Sequence, residues 1–201
     1  MQRYARASTK LARAAAPLVI AFLCVTLSIG GEGTRELLRY ERAALADFEL
    51  WRLATAHLVH LSFGHTALNV TALAIIALLL DSVLDSLDWI VAASISALAI
   101  DLGLYTFAPE VAWYVGLSGV LHGILAAGAL ALAAARIHLG AIILVLVVAK
   151  IAWEQWAGPL PFSELTSGGP VVTDAHLYGG VGGAIAFAAL YGIRGSRSAS
   201  L

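Results

Sequence analysis

The sequence predicts an all-α integral membrane protein, a bundle of six transmembrane helices, on three observations. Hydrophobic side chains make up 60% of the 201 residues and charged ones only 12%, against roughly 25% charged in a soluble domain. Mean hydropathy is +0.87. Six apolar stretches, near 14–30, 57–80, 89–107, 116–135, 139–156 and 175–193, each approach the roughly 20 residues that a helix needs to cross a bilayer core.

The same composition excludes other classes. Twelve Lys and Arg against thirteen Asp and Glu leave a formal charge of −1. There is no basic surplus to neutralise phosphates, so no nucleic acid is expected as a partner. Cys24, alone in the first apolar run, has no second thiol for a disulfide or a CxxC motif.

Taken in order, the chain opens with a basic segment, 1–13, carrying Arg3, Arg6, Lys10 and Arg13. A basic segment before an apolar run also begins a signal peptide, but Ser28-Ile29-Gly30 is a weak cleavage site, and the run is read as a retained anchor. It starts a membrane domain over 14–193. Residues 31–56 combine alternating charges with Leu37, Leu38, Tyr40, Leu50 and Trp51, an amphipathic pattern expected at the membrane interface. Residues 157–174 are interrupted by three prolines and three glycines, which predicts a loop. A tail, 194–201, closes the chain.

An even number of spans leaves both termini on one side of the membrane. That side holds Arg3, Arg6, Lys10, Arg13, Arg136, Arg194 and Arg197, and the other holds Arg35, Arg39, Arg42 and Arg52. The bias places both termini in the cytoplasm. Trp89, Trp113, Trp153 and Trp156 fall near the ends of the stretches and are expected to anchor at the interface.

Polar groups inside spans are costly, so those present are candidates for function. The second stretch carries His57, His60, His65 and Asn69, the last two on one helix face. The fourth opens with Gly116-Leu117-Ser118-Gly119 and carries His122; the sixth opens with Ala175-His176. With the termini inside, the heads of these three spans share the outer face. Two rows of small residues, Gly119, Gly123 and Ala127 against Ala175, Gly179 and Gly183, offer a seam along which two helices can approach closely.

A serine hydroxyl needs a base, and a neutral imidazole suits that task. Ser118 and His176 fit these roles. Unpaired backbone N–H groups at the head of the fourth helix, with Asn69 and His65, can face an oxyanion. No carboxylate is placed by spacing to orient His176: Asp174 lies in the loop and Asp101 deep in the third stretch. The reading is a Ser–His dyad. Lys150 and Glu154, one turn apart, read with Asp101 as a buried ionic set of structural role. Lacking an HExxH pattern, His57, His60 and His65 are not expected to bind a metal, and no cofactor is expected. The competing class is a polytopic transporter or binding protein using buried His and charged residues as an ion path.

These motifs together resemble the rhomboid family of intramembrane serine proteases: Trp51-Arg52, then His60, His65 and Asn69, then Gly116-Leu117-Ser118-Gly119, then Ala175-His176 with Gly179 and Gly183. The resemblance implies a six-helix rhomboid-like bundle, Ser118 as nucleophile, His176 as base and then acid, and an oxyanion hole of His65, Asn69 and backbone N–H groups, including that of Leu117. Retention of both Ser118 and His176 argues against an inactive member. His122 stands where many members carry Tyr or Phe, and either assists His176 or fills the aromatic's place; His60 is a further auxiliary candidate. With Trp153-Glu154-Gln155 and Gly169-Pro170-Val171, this is similar to the rhombosortase branch. That likeness implies a Gram-negative inner-membrane enzyme with its site open to the periplasm. Its substrates would be membrane-anchored proteins ending in Gly-Gly, a hydrophobic span and a basic tail, and the acyl group would pass to water or an amine.

Overall fold

A backbone surrounded by Leu, Ala, Ile and Val satisfies its own hydrogen bonds most completely as a helix. In the computed structural model, which describes residues 2–198 and the side chains of 13–192, each of the six stretches carries one. Among the described residues the helices are α1 (Gln2–Ile29), α2 (Gly31–Leu38), α3 (Arg42–Ala46), α4 (Arg52–Thr55), α5 (Phe63–Leu80), α6 (Ser86–Phe107), α7 (Ser118–Ala134), α8 (His138–Ala157), α9 (Ser163–Ser167) and α10 (Thr173–Ser198), with strands β1 (Tyr40–Glu41) and β2 (Trp113–Tyr114). The side chains of Arg3, Arg6, Lys10, Arg194 and Arg197, and the end of the tail, lie outside the described residues. The fold is that of an all-α membrane protein. Helices α5, α6 and α8 are long and apolar enough to cross a membrane, whereas α7 and the Arg13–Ile29 part of α1 are apolar but shorter.

The core centres on α7, whose Val120, Leu121, Ile124, Ala127 and Leu132 are buried, and α10 packs most extensively against α7 and α6. The small residues explain why. A Cβ on Gly179 would collide with the Gly119 carbonyl, and one on Gly183 with the Gly123 carbonyl, so backbone meets backbone along this seam. On the outside, Leu78 of α5 and Val145 and Leu146 of α8 are exposed, as lipid-facing side chains are.

Two contacts fix which ends lie together. Arg13 Nη1 donates to the Asp81 carbonyl at 2.7 Å, and Ser86 Oγ to the Arg13 carbonyl at 3.3 Å. The apolar part of α1 thus starts beside the α5–α6 turn, and the heads of α5, α7 and α10 gather at the opposite end.

Three sequence expectations are corrected. Helix α5 starts at Phe63, because Ser62 caps it by accepting from the His65 N–H at 3.0 Å; His57 and His60 therefore lie in the preceding turn. Residues 31–56 do not form one amphipathic helix. Their arginines instead bind backbone carbonyls and break the segment into pieces: buried Arg52 donates to Glu36 and Arg39 carbonyls at 2.7 and 2.9 Å and pairs with Glu49 at 2.6 Å. Arg42 donates to the carbonyls of Leu104, Tyr105 and Ala108 at the end of α6, where a cation complements the helix dipole. Trp89 is 1% exposed within the core cluster, not an interface anchor; Trp153 and Trp156 are exposed.

Candidate active site

The segment leading into Ser118 is held from three sides. Strand β2 pairs antiparallel with β1, Tyr114 opposite Tyr40. The Gly116 N–H donates to the Ala56 carbonyl at 3.0 Å, and the Tyr114 hydroxyl to the Gly116 carbonyl at 2.7 Å. Burial, reinforced by the charge of Asp101, raises the Tyr114 pKa, so this hydroxyl stays a donor. Gly116 has φ +122°, and a Cβ there would lie 3.1 Å from His65 Cε1. Only glycine fits both the backbone and the histidine. The chain then enters α7 directly at Ser118.

Ser118 Oγ lies 2.9 Å from His176 Nε2, and His176 Nδ1 lies 2.8 Å from Glu154 Oε2. The second carboxylate oxygen accepts from Lys150 Nζ at 2.7 Å. A carboxylate can only accept, so His176 carries its proton on Nδ1 and turns an unprotonated Nε2 toward the serine. The His122 ring stacks on that of His176 with centroids 4.2 Å apart. Its Nδ1, 2.7 Å from the Ser118 carbonyl, must be the donor there, which fixes the ring in place.

Glu154 is therefore not part of a set with Asp101. Asp101 lies instead beside His57, Oδ1 to Nε2 3.3 Å, away from Ser118. The two carboxylates part because Glu154 stands on α8. Sequence reasoning missed its link to His176, although a signal existed. The α7–α8 turn is tight, Ile137 N–H bonding the Leu132 carbonyl at 2.9 Å. Ser118 lies sixteen residues before the end of α7 and Glu154 sixteen after the start of α8, so an antiparallel pair puts them level.

His65 and Asn69 flank the serine on α5. His65 Nδ1 faces the Leu61 N–H over 3.4 Å, a long, weak contact that favours the tautomer with Nε2–H as donor, on the side of Gly116. Asn69 donates one amide hydrogen to the His65 carbonyl at 3.0 Å and has a second to offer. The Leu117 N–H points at His60 Nε2 over 3.4 Å, longer than a good N–H bond, and the His60 ring meets that of His65 edge to face at 4.9 Å.

A cavity of about 400 Å³ opens beside these groups, lined by Ser118, His176, His65 and Asn69, by Lys150 and Glu154, and by Ser163, Thr166, Ser167 and Val171 of the 157–174 segment. That segment is largely the expected loop, with α9 inside it, and Ser62 Oγ donates to the Ser167 carbonyl at 3.0 Å. His122, Glu154 and His176 are the one group among the described residues that could gather around a cation. Both oxygens of Glu154 and both nitrogens of His176 are already engaged in hydrogen bonds.

A hydroxyl against an unprotonated imidazole nitrogen, at a helix head beside unspent donors, can form and break an acyl bond. No curated protein matches the chain. Residues 47–193, which hold Ser118, His176, Glu154, Lys150, His122, His65, Asn69 and His60, match the family model of the Rhomboid domain. The match runs over most of the chain, and it belongs to the rhomboid family of intramembrane serine proteases.

Proposed function

We propose that the chain is a rhombosortase-like protease that cleaves near the Gly-Gly of membrane-anchored exported proteins ending in Gly-Gly, a hydrophobic span and a basic tail. The protease part of the reading is carried by the 2.9 Å approach of Ser118 Oγ to His176 Nε2 at the head of α7, and its rhombosortase part rests on the likeness at His122, Trp153-Glu154-Gln155 and Gly169-Pro170-Val171. Ser118 attacks the scissile carbonyl while Nε2 takes its proton. His176 then returns that proton to the leaving amine as the C–N bond breaks, and water or an amine acceptor releases the acyl group by the same steps reversed. The developing oxyanion is met by His65 Nε2–H, the second Asn69 amide hydrogen and the N–H groups of Ser118 and Leu117, the last drawn off its long contact with His60.

A scissile carbonyl in a helical substrate is tied up in the helix ladder. Gly-Gly lowers the cost of freeing it, glycine being about 1 kcal/mol worse than alanine in a helix. The 157–174 segment covers the cavity and acts as its lid. The membrane domain, 14–193, spans six times in a Gram-negative inner membrane, with both termini cytoplasmic and the site open to the periplasm. Gly119, Gly123, Gly179 and Gly183 hold α7 against α10 and so keep serine and histidine together.

The test is a reporter carrying the tripartite tail, co-expressed with the protein, together with labelling of the purified protein by a fluorophosphonate. Ser118→Ala should abolish both signals and His176→Ala should abolish processing. Unchanged labelling of Ser118→Ala would overturn the protease reading, and processing indifferent to His176→Ala would overturn the sorting one.

A further inference from the structure

The imidazole of a serine hydrolase has two nitrogens and must present the unprotonated one to the serine. A group that fixes the tautomer and then faces the imidazolium is what separates a triad from a dyad. Glu154 occupies that position. Its side chain is 2% exposed, its Oε2 meets His176 Nδ1 at 2.8 Å, and its Oε1 meets Lys150 Nζ at 2.7 Å. A lone carboxylate at this depth would be costly to keep ionised. Lys150, whose side chain is 31% exposed and lines the cavity, supplies the compensating charge. The four groups form an unbroken line, Lys150, Glu154, His176, Ser118, that crosses from α8 to α10 to α7.

We propose that Glu154 is a positioning residue for His176, making the site a Ser118–His176–Glu154 triad whose carboxylate is held ionised by Lys150. This rests on the protease reading above. During acylation the Ser118 proton moves to His176 Nε2 as the Oγ–carbon bond forms, while the Nδ1 proton stays on the imidazolium facing the carboxylate. The Nε2 proton then leaves with the amine. Glu154 gains no proton at any step and touches no substrate atom. Because α8 packs mainly on α7 and touches α10 sparingly, the bond from Glu154 to His176 also ties the tautomer to the seating of α8.

A purely structural role, with Glu154 pairing Lys150 to satisfy a half-buried cation, predicts something different. Full-length protein in detergent separates the two through Glu154→Gln, Glu154→Asp and the charge-balanced pair Lys150→Met with Glu154→Gln. An amide of the same shape can donate to Nδ1 and so favours the wrong tautomer; the corresponding change in a soluble serine protease lowers kcat about 10⁴-fold. In the low-dielectric site a fall of about 10²-fold or more in kcat is expected for Glu154→Gln, with KM little changed. The double variant, which leaves no unpaired charge, should keep the wild-type melting profile and stay as inactive as Glu154→Gln. Glu154→Asp should recover part of the rate. The downfield proton resonance of His176 Nδ1–H should be present in the wild type and Glu154→Asp and absent from Glu154→Gln. A folded double variant that labels and cleaves at close to the wild-type rate would overturn the triad while leaving the protease reading intact. Labelling that survives Ser118→Ala in an otherwise unaltered chain would overturn both.

Discussion

Gly119 gives the most direct measure of how finely the site depends on helix packing. A Cβ at this position would stand 2.7 Å from the Ala175 carbonyl oxygen and 3.1 Å from its carbon, where ordinary contact begins at 3.4 Å. Ala175 is backbone on α10 and adjoins His176, so Gly119→Ala must push α10 away by about 0.7 Å at that point, the difference between 3.4 and 2.7 Å. Carried to the neighbouring residue, this lengthens the 2.9 Å Ser118–His176 contact to about 3.6 Å, beyond hydrogen-bond reach. Misplacement approaching 1 Å costs on the order of 10²-fold in rate, and overpacking of this kind costs about 1–3 kcal/mol in stability. Fluorophosphonate labelling rates, read beside thermal melting in detergent, measure both effects. The control is Gly192→Ala, where a Cβ meets nothing within 4 Å and both readouts should hold or improve slightly, alanine being the better helix former. A Gly119→Ala protein that labels within about twofold of wild type would refute the coupling of seam to site, since the expected loss is so much larger.

Two other substitutions probe separate parts of the fold. Arg52→Ala removes two carbonyl contacts and the Glu49 pair from a buried position, at about 1–3 kcal/mol for groups left without partners. It should lower the melting midpoint and open residues 31–56 to limited proteolysis, and Arg52→Lys should not restore them, because a single ammonium cannot reproduce the guanidinium fork. His122→Phe keeps a ring against His176 while losing the bond to the Ser118 carbonyl. Reporter cleavage should stay within about tenfold of wild type if stacking is what His122 provides, whereas His122→Ala should fall further; a loss in His122→Phe as deep as in His176→Ala would assign His122 a direct part in proton transfer.

Composition and the six apolar runs made the membrane class legible, because lipid leaves the backbone few alternatives to helix. Ser118 and His176 could be singled out because each opens a helix next to small residues, features local to a few positions. The arrangement of 31–56 was not legible. Arg42 and Arg52 look in sequence like the charged face of an amphipathic helix, but their partners are carbonyls up to 69 residues away, which no local pattern shows. His57 and His60 adjoin the apolar run in sequence, and what separates them from the helix is the Ser62 side chain, which caps α5. Glu154 was hidden differently: its pairing with Lys150 one turn away is a local pattern, whereas its second oxygen faces His176 on another helix, which no local pattern shows.

The lengths of the helices account for how such a site can work where water is scarce. Helix α7 has 17 residues and α8 has 20, so from their shared tight turn α7 stops about 4.5 Å lower at 1.5 Å per residue. That shortfall leaves Ser118 at the floor of a recess, level with Glu154, while the last turn of α8 rises past it. The chain that fills the space above α7 is the β2 segment, pinned by Ala56 and Tyr40 on one side, and the other side is left to the 157–174 segment, whose Ser163, Thr166 and Ser167 line the cavity. The recess is thus roofed by the polar Ser163, Thr166 and Ser167 and walled by the apolar Leu68, Ala72, Ile76, Leu121 and Leu125. A longer α7 would have carried the serine up into that roof and out of line with both partners.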